Sequence, residues 1–465
     1  MPIENSTVAA LSALLGERFS NKLADRNHHA GHETHHAPQP PDAVAWPLTT
    51  EEVAAIVRIC TSAKVPLIAH GLGSSLEAHV AAVRGGVSID MMRMNRLLRV
   101  SPDDLDCTVE AGITREALNT DLRDTGLFFP VDPGANATLG GMCATRASGT
   151  SAVRYGTMAE NVLNLTVVTP QGEIIRTARR ARKTSAGYDL THLYLGSEGT
   201  LGIITEVTLR LHARPEAVLA AVCTFPGPAE ASRTAIEAIQ CGLQPGRMEY
   251  LDAGAIAAVN AFSHLSETVA DTLFVEFGGS AAEVEAQVEV FRGLAEANGC
   301  SGFRWARAEE DRSRLWKARH SAYNATLAMR PGSRGWPTDV CVPIGALAEC
   351  IIHAKGLLAD CPVPYAIMGH VGDGNFHVVF ALDPNTPEDE AIVNRINAAM
   401  VEKALSVDGT CTGEHGVGLG KMKYLRAEHG PALAVMRRIK AALDPEGLFN
   451  PGKILPDEGD DDTTH

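Results

Sequence analysis

His370 and His377 flank the run Val371-Gly372-Asp373-Gly374-Asn375-Phe376 in a segment, Ala366 to Phe380, that otherwise reads as two strands. Asp-Gly at the centre of such a segment is a strong two-residue hairpin signal. With Asp373 and Gly374 as the turn, Gly372 faces Asn375, Val371 faces Phe376, and His370 faces His377. Directly opposed residues share a sheet face with Cβ atoms about 5 Å apart, so two imidazoles there could hold one ion. Taken alone, the pair reads first as an ordinary polar cross-strand contact. Glu414-His415, framed by Gly413 and Gly416, changes the weighing. It offers a carboxylate as third ligand and, in His415, a titratable base.

Three segments rich in small residues could receive a different ligand. The first, His70-Gly71-Leu72-Gly73-Ser74-Ser75-Leu76, follows the strand expected over Val65 to Ala69. Its backbone N–H groups can turn toward one anion. It is not a nicotinamide fingerprint, because Leu76 stands at the third glycine position of G-x-G-x-x-G. The second segment runs from Pro130 through Pro133-Gly134 and Thr138-Leu139-Gly140-Gly141 to Ser148-Gly149, and the third is Gly196 to Gly202. Three such stretches favour one large diphosphate-bearing cofactor over three coincidental loops.

Arginine is suited to gripping a carboxylate bidentately. Arg319 and Arg330 are the candidates, each weighed against a surface salt bridge. Tyr323 falls one helical turn from Arg319 and shares its face.

The elements that must position these groups form two alternations of helix and strand. Between Thr49 and His212 lie a helix, Thr50 to Ala63, strands at Val65 to Ala69, Gly86 to Asp90 and Asp106 to Glu110, a helix, Thr114 to Thr125, and strands at Val162 to Thr169 and Ile203 to Leu211. This reads as a mixed α/β lobe. From Ala217 a second series begins, with strands at Ala221 to Phe225, Thr272 to Phe277, Gly302 to Trp305, Asp339 to Val342 and Pro364 to Gly369. Helices such as Ala281 to Asn298 and Gly345 to Ala359 separate them. The Arg-Pro pair at Arg214 marks the boundary, giving an expected division into 1–213, 214–420 and a C-terminal return over 421–465. The His/Pro-rich run from His28 to Pro41 and the acidic tail, Asp457 to Asp462, read as solvated surface segments.

Composition bounds the rest. The 465 residues exceed one ordinary core. A 45% apolar and 21% charged content is that of a compact globular protein. With 41 basic against 56 acidic residues, a net charge of -15, and no basic block, nucleic acid is excluded as an expected partner. Ten cysteines without a C-x-x-C pair are typical of reduced thiols. The N-terminus reads neither as a secretory signal nor as a transit peptide, so the expected location is the cytoplasm, with loose peripheral contact to the inner membrane.

The motifs HGLGSSLEAHV, PVDPGANATLGGMCATRASG, RYGTMAENVLNL, GYDLTHLYLGSEGTLG, GHVGDGNFH, GTCTGEHGVG and FNPGK occur in this order. Over about Pro41 to Leu455 the sequence resembles the FAD-binding oxidoreductases of the vanillyl-alcohol oxidase superfamily, in the branch of D-lactate dehydrogenase, glycolate oxidase and D-2-hydroxyglutarate dehydrogenase. The resemblance implies an α+β, two-lobed fold. An α/β lobe would bind FAD, and a cap lobe with a largely antiparallel sheet backed by helices would bind substrate.

It further implies that Gly71, Gly73, Ser74 and Ser75 hold the pyrophosphate, with His70 beside it. Pro133, Gly134, Thr138, Gly141, Ser148, Gly149, Glu198, Gly199 and Ile204 would line the rest of the cofactor, and Asn450 would close the site. His370, His377 and Glu414 would bind a divalent metal, zinc or manganese, with His415 as catalytic base. Arg319, Tyr323, Arg330 and Asn375 would meet the substrate.

The implied reaction oxidises a small D-2-hydroxy acid, D-lactate before others, to the 2-oxo acid. Hydride passes to flavin N5, and electrons leave to a non-nicotinamide acceptor such as a quinone or cytochrome. Relatives acting on D-2-hydroxyglutarate place a lysine two residues before the aspartate matching Asp339, where this chain has Pro337. A homodimer is also expected. The competing reading, a flavoprotein that only carries electrons, leaves Glu414-His415 and the histidine pair without a use. Members with a covalent flavin usually carry a histidine in the first glycine turn, where this chain has Ser74 and Ser75. The purified protein is therefore expected to be yellow and to release FAD into the supernatant on denaturation. FMN, or a flavin remaining on the precipitated chain, would contradict this.

Overall fold

The computed structural model describes residues 3–456, and the acidic tail lies outside them. It divides into two units. The first comprises the chain up to Ser148, Thr157–Arg214, and the segment from Glu414 onward, and the second comprises Gly149–Gly156 and Pro215–Gly413. The first boundary falls at Arg214/Pro215. The return to the first unit begins at Glu414, earlier than the expected 421, and Gly149–Gly156 contributes to the second unit.

In the first unit the helix Thr50–Ser62 starts where Thr49 accepts the Glu52 N–H at 3.2 Å. It buries Val53, Ala54, Ile56, Val57 and Cys60, the 3.6-residue stripe of a helix laid on a sheet. This helix is the crossover from Ala43–Ala45 to Leu67–His70, which both pair in parallel with Val87–Asp90. A second, antiparallel sheet has the order Leu97–Ser101, Asp106–Glu110, Ile203–Arg210, Val162–Val168, Ile174–Arg176. One apolar core joins both sheets.

The second unit is built on an eight-stranded antiparallel sheet in the order Ser301–Ala306, Ala217–Phe225, Asp271–Gly279, Pro245–Leu251, Tyr365–His370, Asn375–Leu382, Arg334–Pro337, with Val340–Cys341 also pairing Asn375–Leu382. Every residue of Asn375–Leu382 is buried, as its apolar run requires of a strand covered on both faces. Helices Ala253–Ser263 and Glu309–Ala328 pack against the sheet through Ile256, Val259, Trp316 and Ala322.

The hairpin carrying the two histidines differs from the expected register. His370 pairs with Asn375, and His377 with Met368, so the loop has four residues, 371–374, instead of two. The Asp373 N–H closes the turn on the His370 carbonyl at 3.0 Å. Gly374, at φ +79°, passes so near the next strand that a Cβ would lie 2.0 Å from the Val342 carbonyl oxygen. The Gly374 carbonyl also accepts the Val342 N–H at 3.0 Å. That tertiary contact, beyond the reach of local turn preference, decides the loop length. The shift is by two residues, so face alternation is preserved and both imidazoles stay on one side as a diagonal pair.

The His/Pro-rich run is solvated only in part: His28, His32, Pro38 and Pro40 are exposed, but other residues of it are buried. His29 and His35 are buried, Thr34 donates to the Leu76 carbonyl at 2.6 Å, and the Gln39 carbonyl accepts the Ala82 N–H at 3.0 Å. The His29 ring lies 2.7 Å by Nδ1 from the Asp25 carbonyl and 3.0 Å by Nε2 from the Asp90 carboxylate. Both partners only accept, so these contacts favour the protonated ring, which donates from both nitrogens. Burial alone would lower its pKa, but Asp90 and the Asp25 carbonyl outweigh burial and raise it. His70, 4.5 Å away between ring centres, moves the other way. Burial first, and the His29 charge second, push it down to about 4. His29, His70 and Asp90 stand near enough together to surround an ion.

For His70 the unfolded chain binds more protons between about pH 4 and 6.5, so its contribution to stability is complete above about 6.5 and is lost as pH falls through about 4. For His29 the contribution is complete below about 6.5 and is lost as pH rises through the folded pKa. Histidine-selective NMR should show one ring titrating above the ordinary range and one below it. Asp90→Asn should abolish the upward shift.

Candidate functional site

At the carboxyl end of the parallel strand Leu67–His70, where open α/β sheets receive ligands, the chain turns through Gly71 to Ser75. A Cβ at Gly71 would lie 2.2 Å from Thr138 Oγ1, so only glycine lets the first and second glycine segments meet. Thr138 caps the helix Leu139–Thr145 by accepting the Gly141 N–H at 3.3 Å. Gly73 takes φ +74°. Ser75 Oγ is buried without a hydrogen-bond partner among the described residues, an orphaned hydroxyl where a diphosphate would need donors. His70, held neutral, supplies a ring beneath the turn and no charge.

The third segment seats on the same helix, as the Gly196 and Glu198 N–H groups donate to the Cys143 and Ala144 carbonyls, each at 2.9 Å. Asn450 Nδ2 donates to the Glu198 carbonyl at 2.7 Å and the His79 carbonyl at 3.0 Å. Gly71, Thr138, Gly141, Glu198, Gly199 and Asn450 thus gather in the first unit, and the residues present fit FAD. Gly134 is exposed, with nothing within 4 Å of a Cβ position. Ile204 belongs to the apolar core, and Ser148 and Gly149 straddle the point where the chain changes unit. Lys453 was not singled out by the sequence reading, although it lies in FNPGK. Its buried ammonium donates to the Ala81 carbonyl at 2.6 Å, and burial pushes its pKa down to about 8.

Glu414 and His415 open the C-terminal segment of the first unit. The glycines that follow let this segment lie directly on others. A Cβ at Gly418 would be 1.9 Å from the Glu77 carbonyl oxygen, and one at Gly420 would be 1.9 Å from Glu77 Oε2. The Glu198 side chain, expected beside the cofactor, accepts the Val417 N–H at 2.7 Å and the Gly418 N–H at 2.9 Å.

In the second unit the rings of His370 and His377 are 5.5 Å apart at 79°. Each is oriented through Nδ1. His377 Nδ1 donates to the Thr338 carbonyl at 2.8 Å, and His370 Nδ1 lies 2.7 Å from Glu249 Oε1. In the neutral tautomer these contacts select, Nε2 carries the lone pair, which is the arrangement of metal-binding histidines. The donor set therefore fits a divalent cation.

Glu249 is wholly buried, and the sequence reading missed it. An acidic residue inside the apolar strand Pro245–Leu251 was the available signal. Its Oε2 accepts from Arg319 Nε at 2.7 Å, with Nη2 also at 2.7 Å, so one carboxylate joins the candidate substrate arginine to a candidate metal ligand. Burial would raise the Glu249 pKa, but His370 and Arg319 outweigh it and hold the carboxyl below its usual range. Asn375 Nδ2 donates to Asp339 Oδ1 and the Val340 carbonyl, each at 2.8 Å, and Thr412 Oγ1 donates to Asp339 Oδ2 at 2.7 Å. Arg330 pairs with Asp389, at the start of the helix Pro387–Leu405. Tyr323 packs its hydroxyl against Gly335.

Residues 214–454 match the family described as FAD linked oxidases, C-terminal domain, and residues 41–178 match the FAD binding domain. A probable D-lactate dehydrogenase, mitochondrial, of Danio rerio is 50% identical over 94% of this chain and 89% of its own. The mitochondrial D-lactate dehydrogenase [cytochrome] of Arabidopsis thaliana is 44% identical over 98% of this chain and 81% of its own. Glycolate oxidase subunit GlcD of Bacillus subtilis is 30% identical over 94% of each. Among solved structures, p-cresol methylhydroxylase superposes with a TM-score of 0.80 at 17% identity, covering 97% of this chain and 96% of that one, so the fold is the two-domain, vanillyl-alcohol-oxidase type. The expectation of a cytoplasmic protein is corrected by the two mitochondrial relatives. All ten cysteines are free thiols.

Glu249→Ala should leave Arg319 without its buried counter-charge and His370 Nδ1 without its acceptor, and destabilise the second unit by about 3–5 kcal/mol. Equilibrium denaturation followed through Trp316 fluorescence measures this, and a change below about 1 kcal/mol would deny the carboxylate that role.

Proposed function

Because the chain belongs to the FAD-linked oxidases, we propose that it is an FAD-dependent D-lactate dehydrogenase whose electrons pass to a cytochrome-type acceptor. The observation that carries this reading is the match, along nearly the whole chain, to relatives named for that activity. Pro337, in place of the lysine associated with D-2-hydroxyglutarate, supports a small side chain on the acid.

We assign His370, His377 and Glu414 to a divalent metal, zinc or manganese, and His415 to the substrate proton. When bound, FAD would supply the hydride acceptor, and the divalent ion would supply positive charge beside Arg319, whose own charge Glu249 already balances. Oxidising the acid removes a hydride from C2 and a proton from the hydroxyl. His415 takes that proton on a ring nitrogen, a task for which imidazole is matched near neutral pH. Arg319 offers guanidinium N–H groups to the substrate carboxylate while Glu249 holds the rest of the fork in place. Tyr323, one turn from Arg319 on the same helix, is assigned to the substrate side. Arg330 is occupied with Asp389 and is not assigned to substrate.

Anaerobic D-lactate should bleach the visible flavin band, and L-lactate should not. Glycolate bleaching faster than D-lactate would move the protein to the glycolate branch. His377→Ala or a chelator should remove metal and turnover with FAD retained, and full activity in a metal-free preparation would refute the metal assignment. His415→Asn should slow flavin reduction by about 100- to 10,000-fold with metal and FAD in place. Reduction within about threefold of wild type would exclude His415 as the base.

A further inference from the structure

Glu198 is held in a conformation that side chains rarely adopt, φ +52°, and its backbone is fixed on both sides. Its N–H donates to the Ala144 carbonyl at 2.9 Å, and its carbonyl accepts Asn450 Nδ2 at 2.7 Å. The side chain so aimed is buried, and its two oxygens take two consecutive amides, Oε1 from Val417 at 2.7 Å and Oε2 from Gly418 at 2.9 Å. His79 Nε2 stands 3.2 Å from Oε1. Gly416, at φ +81°, fits beneath this pair only because it has no Cβ, which would lie 2.7 Å from His79 Nε2 and 2.8 Å from Glu198 Oε1. One residue beyond the gripped amides, the Leu419 N–H donates to the Glu77 carbonyl at 2.8 Å.

The gripped amides are two and three residues after His415. A strand of backbone with glycine at 416, 418 and 420 has little conformational preference of its own, so its course must be imposed from outside. A charge-assisted carboxylate grip on successive N–H groups is a strong way of imposing it. We infer that Glu198 acts on the reaction as a positioning residue: its carboxylate, by holding the Val417 and Gly418 amides, fixes the loop that aims His415. The inference rests on His415 being the proton acceptor proposed above. Misplacing a catalytic group by about 1 Å can cost on the order of 100-fold in rate without altering the affinity of the ground state.

The test is anaerobic stopped-flow reduction of the FAD-loaded protein by D-lactate. Glu198→Gln keeps the side chain's size but turns an NH2 group toward one of the two amide donors. Its limiting reduction rate should fall by about 10- to 100-fold, while the apparent dissociation constant for D-lactate stays within about threefold and FAD content is unchanged. A role confined to stability would not produce that split. Amide hydrogen exchange over residues 416–419 should accelerate in the same variant. Gly416→Ala, which crowds the latch from the other side, should give the same split and stands in if Glu198→Gln does not fold. A Glu198→Gln enzyme that holds FAD and is reduced within about twofold of the wild-type rate overturns the inference alone. Loss of FAD from both variants also overturns it, since Glu198 would then serve cofactor retention. If the wild-type flavin is reduced by none of the hydroxy acids, the reading of the site fails and the inference with it.

Discussion

A carboxylate with no surface in water is tolerable only when cations and hydrogen-bond donors meet it inside the protein, and Glu249 imposes that requirement on the centre of the second unit. It is answered from two directions. Arg319 arrives from the helix Glu309–Ala328, and His370 arrives from the end of the hairpin strand Tyr365–His370. The helix cannot slide along the sheet, nor the hairpin rotate its histidine outward, without exposing the charge to an apolar surround. Arg319 balances the carboxylate's charge, and the hydrogen bond from His370 Nδ1 selects the neutral tautomer with its lone pair on Nε2. Stability and chemistry are thus coupled through one side chain.

His377 is governed by a weaker version of the same logic. Its Nδ1 is taken by a backbone carbonyl, and the neighbouring Asp339 is spent on Asn375 and Thr412. The polar groups under the hairpin are connected to one another, which is how a buried polar cluster avoids the cost of unmatched donors.

The first unit solves another problem, that of bringing backbone close to a large ligand and to itself. Gly71 against Thr138, and Gly418 and Gly420 against Glu77, are positions where a methyl group has no room. At the second of these places the neighbouring N–H groups of Val417 and Gly418 are taken by the Glu198 carboxylate. Within the run from His28 to Pro41, Thr34 and His29 are buried and bond to the Leu76 carbonyl and the Asp90 carboxylate beside the first glycine turn.

Much of this was legible in the linear chain because it depends on periodicity and on residue types whose local effects are strong. The helix Thr50–Ser62 follows from its apolar stripe and the Thr49 cap, the turn after Leu67–His70 from its glycines, and the hairpin from Asp-Gly between β-forming runs. Even with the wrong loop length, the strand period of two kept His370 and His377 on one face. What the sequence could not decide were relations between segments far apart in the chain. Val342 sets the length of the hairpin loop, Glu77 and Glu198 draw the C-terminal segment into the first unit from Glu414 onward, and Asp90 buries a histidine in a run whose composition reads as solvent-exposed. Glu249 carries no motif, and its meaning appears only when Arg319 and His370 stand beside it. Local propensity is a property of neighbouring residues, whereas burial and charge balance belong to the packed whole, so only the tertiary structure could determine them.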